Sequence, residues 1–186
     1  MKRFIFVLIL LLIMSTSCNS ILENKNNNYN KILNEYSKSD YKYKDLFDGK
    51  ISIEVIFISK EVKDALSKDI KNNNLREKNI PFSVKNNYPT FLVAFYNYDY
   101  KLNNLDEEES IWDITLKLND KIYKPNQITK LFRSNHKIFK TYFKNNQRFS
   151  TFYLVEFNMI ELNKIAGDIE LIFSSIAATL NVDWRL

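Results

Sequence analysis

Apolar residues change their spacing along this chain, and each change predicts an element. An unbroken apolar run from Phe4 to Met14 gives way to a polar stretch, 19–49, rich in Asn, Lys and Ser. Within it Tyr29, Ile32, Leu33 and Tyr36 fall at i, i+3, i+4 and i+7, the spacing of one short helix. Ile51 to Ile58 is rich in β-branched residues and reads as a strand. Ser59 follows as a helix cap, with Val62, Ala65, Leu66 and Ile70 on one apolar stripe. Pro81 and Pro89 then punctuate an irregular stretch.

The remainder reads mostly as strands. Phe91 to Tyr100 is one long strand that turns polar at its end. Trp112, Ile114, Leu116 and Leu118 alternate with polar residues, and Asn119-Asp120 turns the chain into Lys121–Lys124 as a hairpin. Phe149–Phe157, Asp168–Ile176 and Leu180–Leu186 supply three more strands. Between them, 126–144 carries Ile128, Leu131, Phe132, Ile138, Phe139, Tyr142 and Phe143 at helical spacing. That segment is expected to be a partly helical connection between sheets, not a strand. With Gly49 and Gly167 the only glycines, tight turns must rely on Asn and Asp. The fold class expected is mainly β: an antiparallel β-sandwich with one or two short helices. Its strand layout from Phe91 to Leu186 resembles the immunoglobulin-like sandwiches of envelope lipoproteins, without the Cys–Trp–Cys core of antibody domains; Trp112 and Trp184 are expected to fill that inter-sheet space.

The N-terminus concerns location. Met1-Lys2-Arg3, the apolar run and the small residues Ser15-Thr16-Ser17 form a secretory signal that ends at Cys18, the only cysteine. A thiol directly after such a site is what lipid attachment requires. The run is too short to span a bilayer, which takes about 20 apolar residues. A plain secretory signal would instead leave an odd free thiol in an oxidising compartment. The expected organisation is therefore a signal peptide over 1–17, a lipidated Cys18 with a flexible tether over 18–49, and a sandwich domain over 50–186. A folding-on-binding motif is the alternative for the tether. The relaxed lipobox, with Ser15 where leucine is usual, and the heavy use of Asn, Lys, Ile, Phe and Tyr resemble spirochaetal lipoproteins of the borrelial type. That resemblance implies a triacylated envelope lipoprotein, anchored at the cell surface or on the periplasmic side, and implies no particular activity.

Composition excludes more chemistry than it supports. Removing the signal lowers the formal charge of +5 by two, and a modest balance on an exported chain does not point to nucleic acid. His136 is the only histidine and has Arg133, Lys137 and Lys140 beside it, with no carboxylate to orient it. One His and no spare thiol make a poor zinc site, and no cofactor is expected. Asp106-Glu107-Glu108-Glu109 lacks the alternation and glycine of a calcium loop and reads as a solvated turn. No enzyme is expected.

Two surfaces remain. Lys121, Lys124, Lys130, Arg133, Lys137, Lys140, Lys144 and Arg148 form a stretch with no acidic residue and with interleaved aromatics. It is either the solvent face of a segment whose aromatics are core, or a site for an anionic partner: glycosaminoglycan sulfate, lipid phosphate or an acidic protein face. Tyr96, Tyr98 and Tyr100 share one strand face by parity, more in keeping with a core layer than with a stacking row for sugars or an interface. The leading reading is a non-catalytic, lipid-anchored interaction module. The alternative is a periplasmic structural or assembly factor docking onto another envelope protein.

Overall fold

The computed structural model describes residues 27–44, 49–71, 82–83, 85–131, 143, 149–158 and 160–186. Cys18 and the signal lie outside them, as do His136, Arg133, Lys137, Lys140, Lys144 and Arg148. Among the described residues two α-helices, α1 (Asn27–Tyr36) and α2 (Lys60–Lys71), accompany nine strands. These are β1 (Ser37–Lys44), β2 (Gly49–Phe57), β3 (Thr90–Asn97), β4 (Asp113–Leu118), β5 (Lys121–Tyr123), β6 (Gln127–Leu131), β7 (Thr151–Glu156), β8 (Asp168–Ser174) and β9 (Thr179–Arg185). All pair antiparallel, in a five-stranded sheet of order β1-β2-β3-β7-β6 and a four-stranded sheet of order β5-β4-β8-β9.

The expected antiparallel sandwich is the architecture found. Setting β1 aside, the two sheets read β2-β3-β7-β6 and β5-β4-β8-β9. In immunoglobulin lettering these are A-B-E-D and C′-C-F-G, so the strand order is that of the immunoglobulin sandwich. In antibody domains a disulfide joins B to F against a tryptophan of C. Here Phe95 on β3 and Phe173 on β8 occupy that place, stacked with ring centroids 6.5 Å apart. Trp112, just before β4, meets Phe95 edge-on at 5.0 Å.

Side-chain parity explains which strands were easiest to read. In the four-stranded sheet only the inner face is covered, so β8 and β9 alternate: Ile169, Leu171, Phe173, Leu180, Val182 and Trp184 are buried, with more exposed residues between. The central strands β2 and β3 are covered on both faces and read as continuous apolar runs. Ile53, Val55, Phe57, Phe91, Val93 and Phe95 face the other sheet. Ile56, Leu92 and Ala94 face outward into a second cluster with Val62 and Leu66 of α2 and with Phe143. Ser59 caps α2 as predicted, its Oγ accepting from the Val62 N–H at 3.3 Å.

Two expectations need correction. The segment 18–49 is not a tether throughout, because residues from Asn27 to Lys44 belong to the folded domain. The polar segment Ser37–Lys44 has no apolar alternation, yet its backbone pairs in register with β2 from Ser37↔Ile56 to Lys44↔Gly49. Tyr36 packs edge-on against Phe57 at 6.1 Å, and its carbonyl accepts from Trp184 Nε1 at 3.0 Å. Asp40 Oδ2 accepts from the Asn181 N–H at 3.0 Å, so β1 closes the sandwich beside β9. The second correction is Gln127–Leu131, expected to be part of a connection. It is the edge strand β6, paired with β7 from Gln127↔Glu156 to Leu131↔Phe152. Ile128 serves the inner core and Leu131 the outer cluster, the opposite-face placement of a strand.

Lys63 is buried on α2 without an obvious sequence signal. Its Nζ donates to the carbonyls of Asn86, at 2.5 Å, and Tyr88, at 3.4 Å, and Tyr88 Oη donates to Glu156 at 3.0 Å. Burial lowers the Lys63 pKa, and Glu156 opposes that shift. The cluster pins the segment before β3 between α2 and β7.

Tyr153 carries a pH prediction. It is fully buried, its hydroxyl donates to the Asn103 carbonyl at 2.6 Å, and its pKa is raised by burial, then by Asp106. In the unfolded chain a tyrosine ionises near pH 10 (about 10 in model peptides). Above that pH the folded state still holds the proton that the unfolded state has lost, so stability falls as pH rises. Denaturant titrations at rising alkaline pH should show Tyr153→Phe losing stability less steeply than the parent, by up to about 1.4 kcal/mol per pH unit. Equal slopes would mean that Tyr153 does not govern the alkaline limb.

Candidate functional site

Three exposed aromatics, Tyr98, Tyr100 and Phe149, gather where β3 ends, while Tyr41 lies apart on β1. Asn97 is the last strand residue, and the chain turns there instead of continuing as the expected longer strand. The turn is fixed by its own polar side chains. Asn97 Oδ1 accepts from the Asp99 N–H at 3.0 Å, and Asp99 Oδ1 accepts from the Lys101 N–H at 3.1 Å. A single 3-10 turn, Tyr100–Leu102, follows. The Leu102 carbonyl accepts from Trp112 Nε1 at 3.1 Å, and Asn103 Oδ1 accepts from the Asn97 N–H at 2.8 Å. With the Tyr153 hydroxyl on the Asn103 carbonyl, the loop is tied to both core tryptophan and core tyrosine.

This ending breaks the strand parity on which a tyrosine core layer depended. Tyr96 is half-buried on the outer face of the five-stranded sheet, Tyr98 is 46% exposed and Tyr100 is 76% exposed. Tyr98 is held by its N–H on the Lys50 carbonyl at 3.1 Å and lies over Gly49, where a Cβ would come 3.0 Å from the ring. Gly49 thus permits a close approach that a side chain would push away. Phe149, 69% exposed, enters from the start of β7.

These rings line one depression of about 540 Å³ with Asn97, Asn103, Lys130 and Thr151. Lys130 is exposed on β6 and supplies the cation; Asn97 and Asn103 are buried in the floor. Asn97 Nδ2 has no hydrogen-bond partner among the described residues. An unpaired buried donor costs about 1–3 kcal/mol and needs a reason. The depression stands at the end of the sandwich opposite the α1–β1 junction, since Tyr36 packs by Phe57 and Trp184 while Asn97 pairs with Ile51.

The basic segment does not form one described patch. Lys121 and Lys124 lie at β5, an edge of the four-stranded sheet, whereas Lys130 lies on β6, an edge of the other. Lys124 is ion-paired with Asp113, so a stretch free of acids in sequence is not free of them in space. Lys121 borders a separate depression of about 540 Å³ with Glu161 and Lys164, which pair with each other at 3.0 Å. The other five predicted basic residues lie outside the described set. Asp106 to Glu109 are exposed, and Glu107 accepts from Asn104 Nδ2 at 3.1 Å.

The aromatic site was missed because its members are split between Tyr96–Tyr100, Lys130 and Phe149–Thr151. Only the register of β3 on β7 and of β6 on β7 brings them together. No protein-family model, curated protein or solved structure matches this chain.

Proposed function

We propose that this protein is a non-catalytic envelope lipoprotein, anchored through lipid on Cys18, whose sandwich domain works as an interaction module. The observation that carries the reading is the convergence of Tyr98, Tyr100 and Phe149, all well exposed, on one depression with Lys130. Exposed aromatics scattered singly need no explanation, but a cluster held on a braced turn marks a contact surface. Bracing also matters energetically, because a turn whose backbone is fixed before binding loses little freedom when a ligand arrives. Of the described residues of the basic segment, Lys130 is the one that stands beside the rings and carries the anionic preference expected of that segment.

The anchor rests on the signal, the small residues and the single cysteine. With Asn27 already part of α1, no more than residues 19–26 separate Cys18 from the domain. Such a link reaches no more than about 30 Å when fully extended. The domain therefore works close to the membrane, with the aromatic depression at the end remote from the α1–β1 junction.

Cys18→Ala tests the anchored reading in cells that process lipoproteins. The parent should partition into the detergent phase and sediment with membranes, and the variant should move to the soluble fraction. A variant that remains on membranes after a high-salt wash would overturn lipid anchoring.

A further inference from the structure

We propose that the aromatic depression binds an acidic saccharide, a pyranose chain carrying a carboxylate on its repeating unit. This rests on the interaction-module reading and names its ligand class. Four rings, Tyr96, Tyr98, Tyr100 and Phe149, line it, and the three tyrosines add phenolic hydroxyls. Sugar rings have a matching character: one face of C–H groups that packs on an aromatic, and a periphery of hydroxyls that seeks polar partners. Thr151 and the two asparagines supply polar groups within the lining. A volume of about 540 Å³ lies within the range of small-ligand sites, about 300–1,000 Å³.

Charge narrows the class. Among the described residues of the lining Lys130 is the only cation, and it matches one carboxylate. Glu107 accepts from Asn104 Nδ2 at 3.1 Å, beside Asn103 of the lining, and Asp106 is exposed next to it. The surroundings are thus mixed in sign. A densely sulfated chain would meet these carboxylates, whereas a saccharide with one carboxylate per repeat can place it on Lys130 and keep its neutral rings on the aromatics. Glycans of cell-wall type and of host-matrix type share this chemistry.

Calorimetric titration of the lipidated full chain in detergent micelles distinguishes the sources and the class. The probes are a muramyl-containing cell-wall tetrasaccharide, a hyaluronan hexasaccharide, the neutral, fully N-acetylated chitohexaose and a heparin hexasaccharide. Saturable binding of a carboxylate saccharide is expected, about tenfold or more tighter than chitohexaose or heparin. Whichever of the first two binds identifies the source. Tyr100→Ser should weaken that binding by about tenfold. Lys130→Met should reduce it to the level of the neutral probe. Both residues are exposed, so neither change should impair folding. No binding by either carboxylate saccharide at about 10 mM would overturn the proposal. So would a preference for heparin or chitohexaose, or indifference to both substitutions. If a photoreactive residue at position 100 captures a partner in cells while no saccharide binds, the interaction site stands and this ligand class falls. If neither is seen, both fall.

Discussion

Phe95→Ala is expected to destabilise the domain by about 3–5 kcal/mol, enough to consume a large part of the stability of a domain this size. Phe95 is fully buried and is the one ring in contact with both Trp112, at 5.0 Å, and Phe173, at 6.5 Å. It stands where antibody domains place half of their inter-sheet disulfide, so the sheets here are joined by stacked rings and not by a covalent link. Truncation removes the transfer energy of the ring and leaves a cavity that Trp112, tied through Nε1 to the Leu102 carbonyl, is poorly free to fill. Phe95→Leu, which keeps most of the volume, should cost distinctly less. Urea titration of the two variants checks this, and a loss below about 1 kcal/mol for Phe95→Ala would mean that this contact does not join the sheets.

Trp184→Ala should be comparably severe, at about 3–5 kcal/mol, and its consequences should spread to the N-terminal segment. The Trp184 ring packs on Phe91 at 5.5 Å and Phe57 at 5.8 Å, and its Nε1 donates to the Tyr36 carbonyl. That bond is where α1 passes into β1. Trp184→Phe keeps a large ring but leaves the half-buried Tyr36 carbonyl short of its donor, for about 1 kcal/mol. In limited proteolysis Trp184→Ala should expose the α1–β1 segment to cleavage before the rest of the domain. Simultaneous cleavage throughout would mean that the segment is not held mainly through Trp184.

Legibility followed burial. β8 and β9, covered on one face, show the strict alternation that names a strand, and Ser59 announced its helix through a cap with one simple geometry. β2 and β3 were readable as apolar runs because both of their faces are covered. β1 was not, since Ser37–Lys44 is an edge strand whose pairing relies on backbone groups common to every sequence. β6 was misread because Ile128 and Leu131 are three apart, a spacing that serves one helix face or two strand faces equally well. The site failed to show for a related reason. Tyr96, Tyr98 and Tyr100 were grouped by strand parity, but Asn97 and Asp99 turn the chain between them, and no local pattern announces that Phe149 and Lys130 will arrive beside them. Residues grouped by closeness in sequence, such as Lys121, Lys124 and Lys130, are divided by the fold between two sheet edges.

The most direct test of the interaction module is photo-crosslinking in intact cells, alone and in contact with a host-cell layer, with a benzophenone side chain at position 100 or at position 176. Tyr100 lies in the aromatic depression and Ile176, 98% exposed, lies at the β8–β9 turn. The account predicts a discrete adduct from position 100, reduced when Tyr98 and Phe149 are changed to Ser, and none above background from position 176. Equal yields from the two positions, or no adduct from position 100 in either setting, would contradict it.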